Sequence, residues 1–154
     1  PVEVPTEDDR INQDQAAVVR QTASHAILDD LPWDEHPPLI GGFNCLQARD
    51  ESHVLLDVLL YRIRRAGGGF HFADRENHPL LVVGEYGKGR TAALACDLAP
   101  HWVGPLIDWG TQNDPTPSGQ GRVTGQAPGV EAVEVGCHYA TFVSQLIRWV
   151  GNLD

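Results

Sequence analysis

Two apolar runs joined by a glycine-rich turn constrain the fold of this chain more than any other feature. Residues 80–86 and 90–96 are rich in Val, Leu and Ala, and Gly87-Lys88-Gly89 stands between them. Glycine adopts the positive φ angles that tight turns need, so the pattern predicts a β-hairpin. A phosphate-binding loop would need Ser or Thr after the lysine and a helix after that, whereas here a glycine and a strand-like run follow.

The segment just before this hairpin fits either a strand or one face of a helix. Residues 53–64 carry many apolar side chains, and their periodicity alone does not decide between the two. A strand is favoured because Gly67-Gly68-Gly69 then forms the turn to a partner strand over residues 70–73. The sequence therefore predicts a second hairpin directly before the first.

The first third of the chain gives weaker signals. Residues 1–23 are predicted to be an irregular lead-in with a short strand or turn at residues 16–19. Ser24 is expected to cap a short helix over residues 25–30, which Leu31-Pro32 ends. Residues 39–46 are predicted to form a buried strand, in which Gly41-Gly42 marks either a bulge or a close approach of two backbone segments.

The last third predicts a loop and then a helix. Residues 111–129 are rich in Gly, Pro, Ser, Thr and Gln, which is typical of a surface loop. Residues 138–150 follow with apolar side chains at spacings of three and four, which predicts a helix that packs on a sheet. The apolar positions are Tyr139, Phe142, Val143, Leu146, Ile147 and Val150.

Length and charge narrow the class of protein. The 154 residues fit a single α/β domain over residues 1–154, and the formal net charge of −10 argues against nucleic acid and anionic membranes as partners. The sequence shows neither a membrane-spanning run nor a signal peptide, so we expect a cytoplasmic protein. Because it contains no methionine, we also expect that the domain lacks its N-terminal part.

Three cysteines and seven histidines give no metal or disulfide signature. The cysteines are widely spaced and odd in number, so we expect reduced thiols, with Cys96 as a small core residue. No histidine pair has the spacing of a zinc motif, and no metal or cofactor is expected. A convergence in space of Asp97, His101, Asp108 and His138 is the one arrangement that would suit a divalent metal.

Asp97-Leu98-Ala99-Pro100-His101-Trp102 is the segment with the most chemical potential. It follows an apolar strand, and ligands of α/β sheets bind beyond the carboxyl ends of strands. His101 can exchange protons near neutral pH, and Asp97 is close enough in sequence to orient its imidazole. The alternative is structural: Asp97 caps the turn and His101 bonds local backbone groups.

A family resemblance rests on three stretches. Residues 79–90, residues 92–102 and residues 142–150 with Arg148-Trp149 resemble the family named "putative glutamine amidotransferase", a class I glutamine amidotransferase-like group. The resemblance implies a flavodoxin-like sandwich, of which this chain would be the C-terminal portion, with β-hairpins and a C-terminal helix. Residues 1–4 resemble the point just after the half that carries the nucleophile region.

The resemblance also implies a mechanism. Class I amidotransferases use a cysteine on a strand-to-helix elbow, a histidine, and a glutamate two residues after it, and the cysteine forms a thioester as ammonia leaves. His101 matches the histidine, but Val103 stands where the glutamate would be. No Gly-flanked elbow cysteine occurs here, since Cys45 has Asn and Leu neighbours. Cys137 at the predicted helix start is either a reactive thiol or, as we favour, part of a capping region.

Two hypotheses follow. In the first, the domain is an amide hydrolase with His101 as general base, Asp97 as its orienter, a small amide as substrate and a nucleophile outside this chain. In the second, it is a non-catalytic binding or scaffolding domain of the same fold, whose Trp102, Trp109 and Trp149 serve a partner or self-association. The expected partners are a second copy or the missing N-terminal segment.

Overall fold

The computed structural model describes residues 15–98, 102–110, 122–125 and 133–153. Its first five strands are β1 Gln15–Gln21, β2 Leu39–Ile40, β3 His53–Ala66, β4 Gly69–Tyr86 and β5 Gly89–Leu94. They form one sheet in the order β2-β1-β3-β4-β5, in which each pairing is antiparallel. Together with one C-terminal helix, this gives a sheet-dominated fold.

The long hairpin of β3 and β4 confirms the strand predicted over residues 53–64. Its turn contains Gly67 and Gly68, whose φ angles of 60° and 81° favour glycine. β4 continues for 18 residues, so the predicted strands at 70–73 and 80–86 are parts of one strand. The polar stretch between them pairs with β3 through its backbone, and register shifts within β3 let so long a hairpin bend.

The predicted hairpin of β4 and β5 is confirmed as well. Tyr86 pairs with Gly89 across a two-residue turn, in which Gly87 has a φ of 63°. Past the end of β5, the Ala95 N–H still donates to the Leu80 carbonyl at 2.7 Å. The chain therefore stays next to β4 as far as Ala95, two residues before Asp97.

β1 lies between β2 and β3, with Val19 opposite Val58. Ala17 and Val19 are buried and alternate with the half-buried Ala16, Val18 and Arg20, which is the burial pattern of a strand with one face in the core. The strand expected at residues 16–19 is thus longer than predicted. Residues 1–14 of the predicted lead-in lie outside the described residues.

The helix predicted over residues 25–30 is wrong, because residues 26–30 form a turn. Pro32 has no N–H with which to continue a helical ladder to the Leu28 carbonyl. That carbonyl accepts the indole N–H of Trp33 instead, at 3.2 Å. Asp30 ends the turn with a left-handed φ of 59°.

The strand predicted over residues 39–46 is limited to β2. The backbone N–H groups of Gly41 and Gly42 donate to the Trp102 carbonyl, at 2.7 and 3.0 Å, and not to a neighbouring strand of the sheet. The glycine pair therefore marks a close approach of two backbone segments, which is one of the two uses expected of it.

The predicted loop over residues 111–129 contains a short strand. β6 Arg122–Gly125 pairs with β7 Val133–Gly136, and the rest of the predicted loop lies outside the described residues. The Arg122 guanidinium bonds Asp108 at 2.9 Å, in a short 3₁₀ helix that spans Gly104–Asp108. Turn-rich composition did not reveal these backbone pairs.

The helix α1 Cys137–Gly151 confirms the helix predicted over residues 138–150. Tyr139, Phe142 and Leu146 are buried against the sheet. Ile147 and Val150 belong to the predicted apolar face but are exposed, so the buried stripe is narrower than predicted. No helix in the described ranges is long and apolar enough to cross a bilayer.

The core beside α1 is aromatic. Trp33 is buried, with its ring centroid 4.3 Å from that of Trp109 and 5.3 Å from that of Phe142. The Trp109 indole N–H donates to the His36 carbonyl at 2.7 Å, which ties the 3₁₀ helix to the loop after β1. Trp109, expected as a partner-binding residue in the non-catalytic hypothesis, is therefore a core residue.

Candidate functional site

Asp97 fixes the turn that the sequence singles out. The residue lies just past β5 and is half-buried, and its Oδ1 accepts the backbone N–H groups of Trp102 at 3.0 Å and Val103 at 2.8 Å. One carboxylate oxygen thus joins the two ends of the segment in which His101 stands. His101 itself lies outside the described residues, so its position relative to Asp97 stays a prediction.

The ends of this turn are anchored to the rest of the fold. The Trp102 carbonyl accepts two N–H groups from the segment after β2, and Val103 is buried. The Tyr139 hydroxyl of α1 donates to the Leu98 carbonyl at 3.0 Å. Burial, helped by nearby Cys96 and Asp97, raises the pKa of Tyr139, so the phenol keeps the proton that it donates.

These contacts bear on both expected roles of Asp97. Asp97 Oδ1 caps the turn by accepting the two backbone N–H groups. A carboxylate has a second oxygen and further acceptor positions, so the same side chain has the capacity to orient an imidazole as well. The two interpretations of the sequence are therefore not exclusive.

The residue two positions after His101 contrasts with the amidotransferase triad. Val103 is 1% exposed and belongs to the core cluster. A glutamate there would have to bury a charge among apolar groups, at a large desolvation cost. The buried site explains why valine suits this position and why a glutamate in that role would need a different backbone.

The three cysteines have different environments. Burial first, and the neighbouring Asp97 charge second, raise the pKa of Cys96 to about 12, so its thiol is protonated and inert at neutral pH. The Cys137 thiol donates to the Gly110 carbonyl at 3.1 Å and lies 3.9 Å from Nδ1 of His138. Cys45 is exposed on the segment after β2.

The three described members of the possible metal site, Asp97, Asp108 and His138, do not form a metal-binding group. Asp108 pairs with Arg122, and the His138 ring packs 5.2 Å from that of Trp109. Among the residues that the structure describes, no group of three His, Cys, Asp or Glu side chains is placed to hold a metal ion. The fourth member, His101, is outside them.

A cleft of about 630 Å³ lies at the other end of the β4–β5 hairpin. Five parts of the chain line it: residues 23–25, Glu51 in the turn before β3, the start of β3, the end of β4, and Trp149 of α1. Thr91 pairs with Gly84 at this end of the hairpin. Asp97 lies six residues further along a mostly extended chain, which corresponds to about 20 Å. The cleft and the Asp97 turn are separate sites.

The cleft contains four titratable side chains that sequence reasoning did not select. They are His25, Glu51, His53 and Glu85. Both glutamates also line a neighbouring cleft of about 410 Å³ and so lie at the boundary between the two. No sequence signal would have found this group, because its members come from separate segments and share no motif.

Comparison with solved structures supports the fold. A structure described as a cytoplasmic protein from Salmonella typhimurium matches with a TM-score of 0.52 and 22% identity, over 97% of this chain and 43% of that one. At this identity the likeness concerns the fold alone. The chain spans less than half of the length of that protein, and a search of curated proteins gives no match.

Comparison with protein families gives a more specific result. The family described as "Putative glutamine amidotransferase" matches residues 1–114, which include the sheet and the Asp97 turn. This match covers most of the chain and agrees with the resemblance seen in the sequence. The chain belongs to this glutamine amidotransferase-like family.

Proposed function

We propose that the domain contributes the histidine-bearing part of an amidotransferase-like site that hydrolyses a small amide. In this proposal His101 is the general base and Asp97 is its positioning residue. The main support is the pair of hydrogen bonds from the Trp102 and Val103 N–H groups to Asp97 Oδ1, which fix the chain directly after position 101. A general base must be held within hydrogen-bond reach of its proton, so a clamped turn suits this role.

The nucleophile of this site is proposed to lie outside the chain. The high pKa of Cys96 makes its thiol unsuitable, and the Cys137 thiol is committed to the Gly110 carbonyl. Cys45 lacks the flanking glycines of an elbow. The upstream segment would therefore supply the cysteine or its replacement.

The upstream segment is also proposed to complete the fold. We propose a flavodoxin-like sandwich whose parallel strands come from that segment, with the described antiparallel sheet as its C-terminal part. The segment, or a second copy of the chain, would then pack against the present fold. A cytoplasmic location is proposed because the protein that shares the fold is described as cytoplasmic.

A non-catalytic binding domain is the second candidate, and one observation favours it. Val103 is buried at the position of the family glutamate, so the triad is incomplete even with a cysteine upstream. Trp102 and Trp149 remain half-buried and can still contribute to a binding surface. In this case a ligand or protein would be bound without turnover.

Ammonia release from glutamine, measured with the full-length protein, tests the catalytic proposal. His101→Ala should lower kcat by about 10²-fold or more if the imidazole is the base. His71→Ala, at an exposed position of the long hairpin, is the matched control and should leave kcat unchanged. Unchanged turnover in a folded His101→Ala protein would remove the catalytic role, and a wild type without turnover on any small amide favours the binding domain.

A further inference from the structure

The cleft beside Trp149 has the size and the apolar floor of a small-molecule site. Its volume of about 630 Å³ lies within the range of about 300–1,000 Å³ that is usual for ligand pockets. Leu55 and Val83 line it and are buried, so a ligand there contacts apolar side chains of the central strands. A bound ligand would gain hydrophobic stabilisation from this floor.

The indole of Trp149 forms a wall that its neighbours hold in place. The His25 ring meets it edge-on, with centroids 5.0 Å apart and an angle of 74° between the planes. The Arg90 guanidinium lies 5.3 Å from the indole centroid and donates to the Trp149 carbonyl at 3.2 Å. An aromatic wall fixed in this way binds a flat or apolar body with little loss of side-chain entropy.

His25 adds a neutral polar group to the cleft. Burial is the main cause that lowers its pKa; Arg90 and His53 lower it further, and Asp29 opposes them. Its Nδ1 accepts the Ile27 N–H at 3.2 Å, so the neutral ring carries its proton on Nε2. The imidazole therefore offers a hydrogen-bond donor without a positive charge near pH 7.

Two carboxylates give the cleft its charge. Glu51 lies in the turn before β3 and Glu85 lies near the end of β4, and both line the cavity. The Arg90 guanidinium donates to the Trp149 carbonyl, and Arg90 does not line the cavity. The two carboxylates outnumber the single Arg90 guanidinium that lies over the Trp149 indole, so the rim of the cleft attracts a cation, and the net charge of −10 raises the local concentration of cations around the protein. An anionic ligand would be repelled by the same groups.

We propose that this cleft binds a small organic amine, with its ammonium group at Glu51 and Glu85 and its apolar body between Trp149 and the Leu55–Val83 floor. The proposal is independent of catalysis at the Asp97 turn. It adds a second site, and it names a ligand class by charge and shape: a protonated amine attached to a ring or a short hydrocarbon chain.

Three probes of nearly equal shape and different charge test the proposal on the full-length protein. They are 2-phenylethylamine, 2-phenylethanol and 3-phenylpropionate, each titrated while the indole N–H signals are followed by NMR, with Trp149→Phe used to assign the Trp149 signal. We expect saturable shifts of that signal with the amine, an affinity at least tenfold weaker for the alcohol, and no binding of the carboxylate.

Charge removal at the rim separates this site from nonspecific attraction. The double variant Glu51→Gln/Glu85→Gln should weaken amine binding at least tenfold, whereas Glu35→Gln, at an exposed carboxylate outside the cleft, should not. Both glutamates are exposed, so the variants should fold, and their remaining NMR signals verify this. Equal affinity for the three probes, unchanged binding in the double variant, or no saturable shift with the amine would each overturn the proposal.

Discussion

Removal of the Asp97 carboxylate is expected to destabilise the fold substantially. Its Oδ1 accepts the N–H groups of Trp102 and Val103, and a hydrogen bond to a charged group contributes about 1.5–3 kcal/mol. Val103 is buried, so its N–H would lose its partner away from water. Trp102 is half-buried, and water can replace part of its bond. For Asp97→Ala we therefore expect a loss of about 3 kcal/mol in unfolding free energy.

Asp97→Asn separates the hydrogen bonds from the charge. The amide keeps an oxygen at the position of Oδ1, but a neutral acceptor contributes only about 0.5–1.5 kcal/mol per bond. For Asp97→Asn we expect a loss of about 1–2 kcal/mol in unfolding free energy, which places its stability between that of the wild type and that of the alanine variant. This order of stabilities, rather than either value alone, is the signature of a backbone clamp.

Urea denaturation followed by tryptophan fluorescence measures both losses. With an m value of about 2 kcal/mol/M for a chain of this size, a loss of 3 kcal/mol lowers the midpoint by about 1.5 M. A midpoint of Asp97→Ala equal to that of the wild type would refute the reasoning. Equal losses for Ala and Asn would show that charge, and not the two bonds to Oδ1, fixes the turn.

Three further predictions concern the core. Gly136→Ala should lower the free energy of unfolding, measured by thermal unfolding, by several kcal/mol, because the new Cβ would overlap the Trp109 carbonyl. Gly84→Ala is the control: its new Cβ would make only ordinary contacts, so the loss should be about 1 kcal/mol or less. In alkylation followed by mass spectrometry, exposed Cys45 should react first and buried Cys96 only on unfolding, so equal rates in the native protein would contradict the assigned burial. Folding raises the pKa of Cys96 from 9.0 to about 12, so the stability that its protonated thiol contributes is complete below pH 9 and is lost as the pH rises through about 12. Cys96→Ala should remove this part of the loss in unfolding free energy at alkaline pH.

Local signals in the sequence account for the elements that were predicted well. The hairpin of β4 and β5 follows from Gly87, since a positive φ is needed where the chain reverses. The helix α1 follows from the spacing of Tyr139, Phe142 and Leu146. In both cases the interactions that define the element join residues close in sequence, so a short window contains the information.

Two elements were predicted wrongly, one because of a distant contact and one because a local signal was misjudged. Gly41 and Gly42 bond the Trp102 carbonyl, a partner far along the chain, and this ends β2 early. The short helix over residues 25–30 failed for a local reason, because Pro32 lacks the N–H that a helix would need and the Leu28 carbonyl accepts the Trp33 indole N–H instead. Of these two errors, only the first depends on a partner that a local pattern cannot show.

The turn at Asp97 and the cleft beside Trp149 also differ in how far the sequence could predict them. Asp97 was predictable because it directly follows an apolar strand, and its role as a turn cap was among the expectations. The cleft beside Trp149 was not predictable, because His25, Glu51, Glu85 and Trp149 meet only after the sheet and α1 have packed. Scattered single residues carry no spacing that a sequence pattern can recognise.

The antiparallel hairpin of β3 and β4 sets the order in which the sheet can assemble. Its turn at Gly67-Gly68 brings together residues adjacent in sequence, so pairing can spread outward from Ala66 and Gly69 with little loop closure at each step. β1 has to meet β3 across the whole intervening segment, as the pair Val19 and Val58 shows. β1, although it lies inside the finished sheet between β2 and β3, is therefore expected to dock after the β3–β4 hairpin has formed.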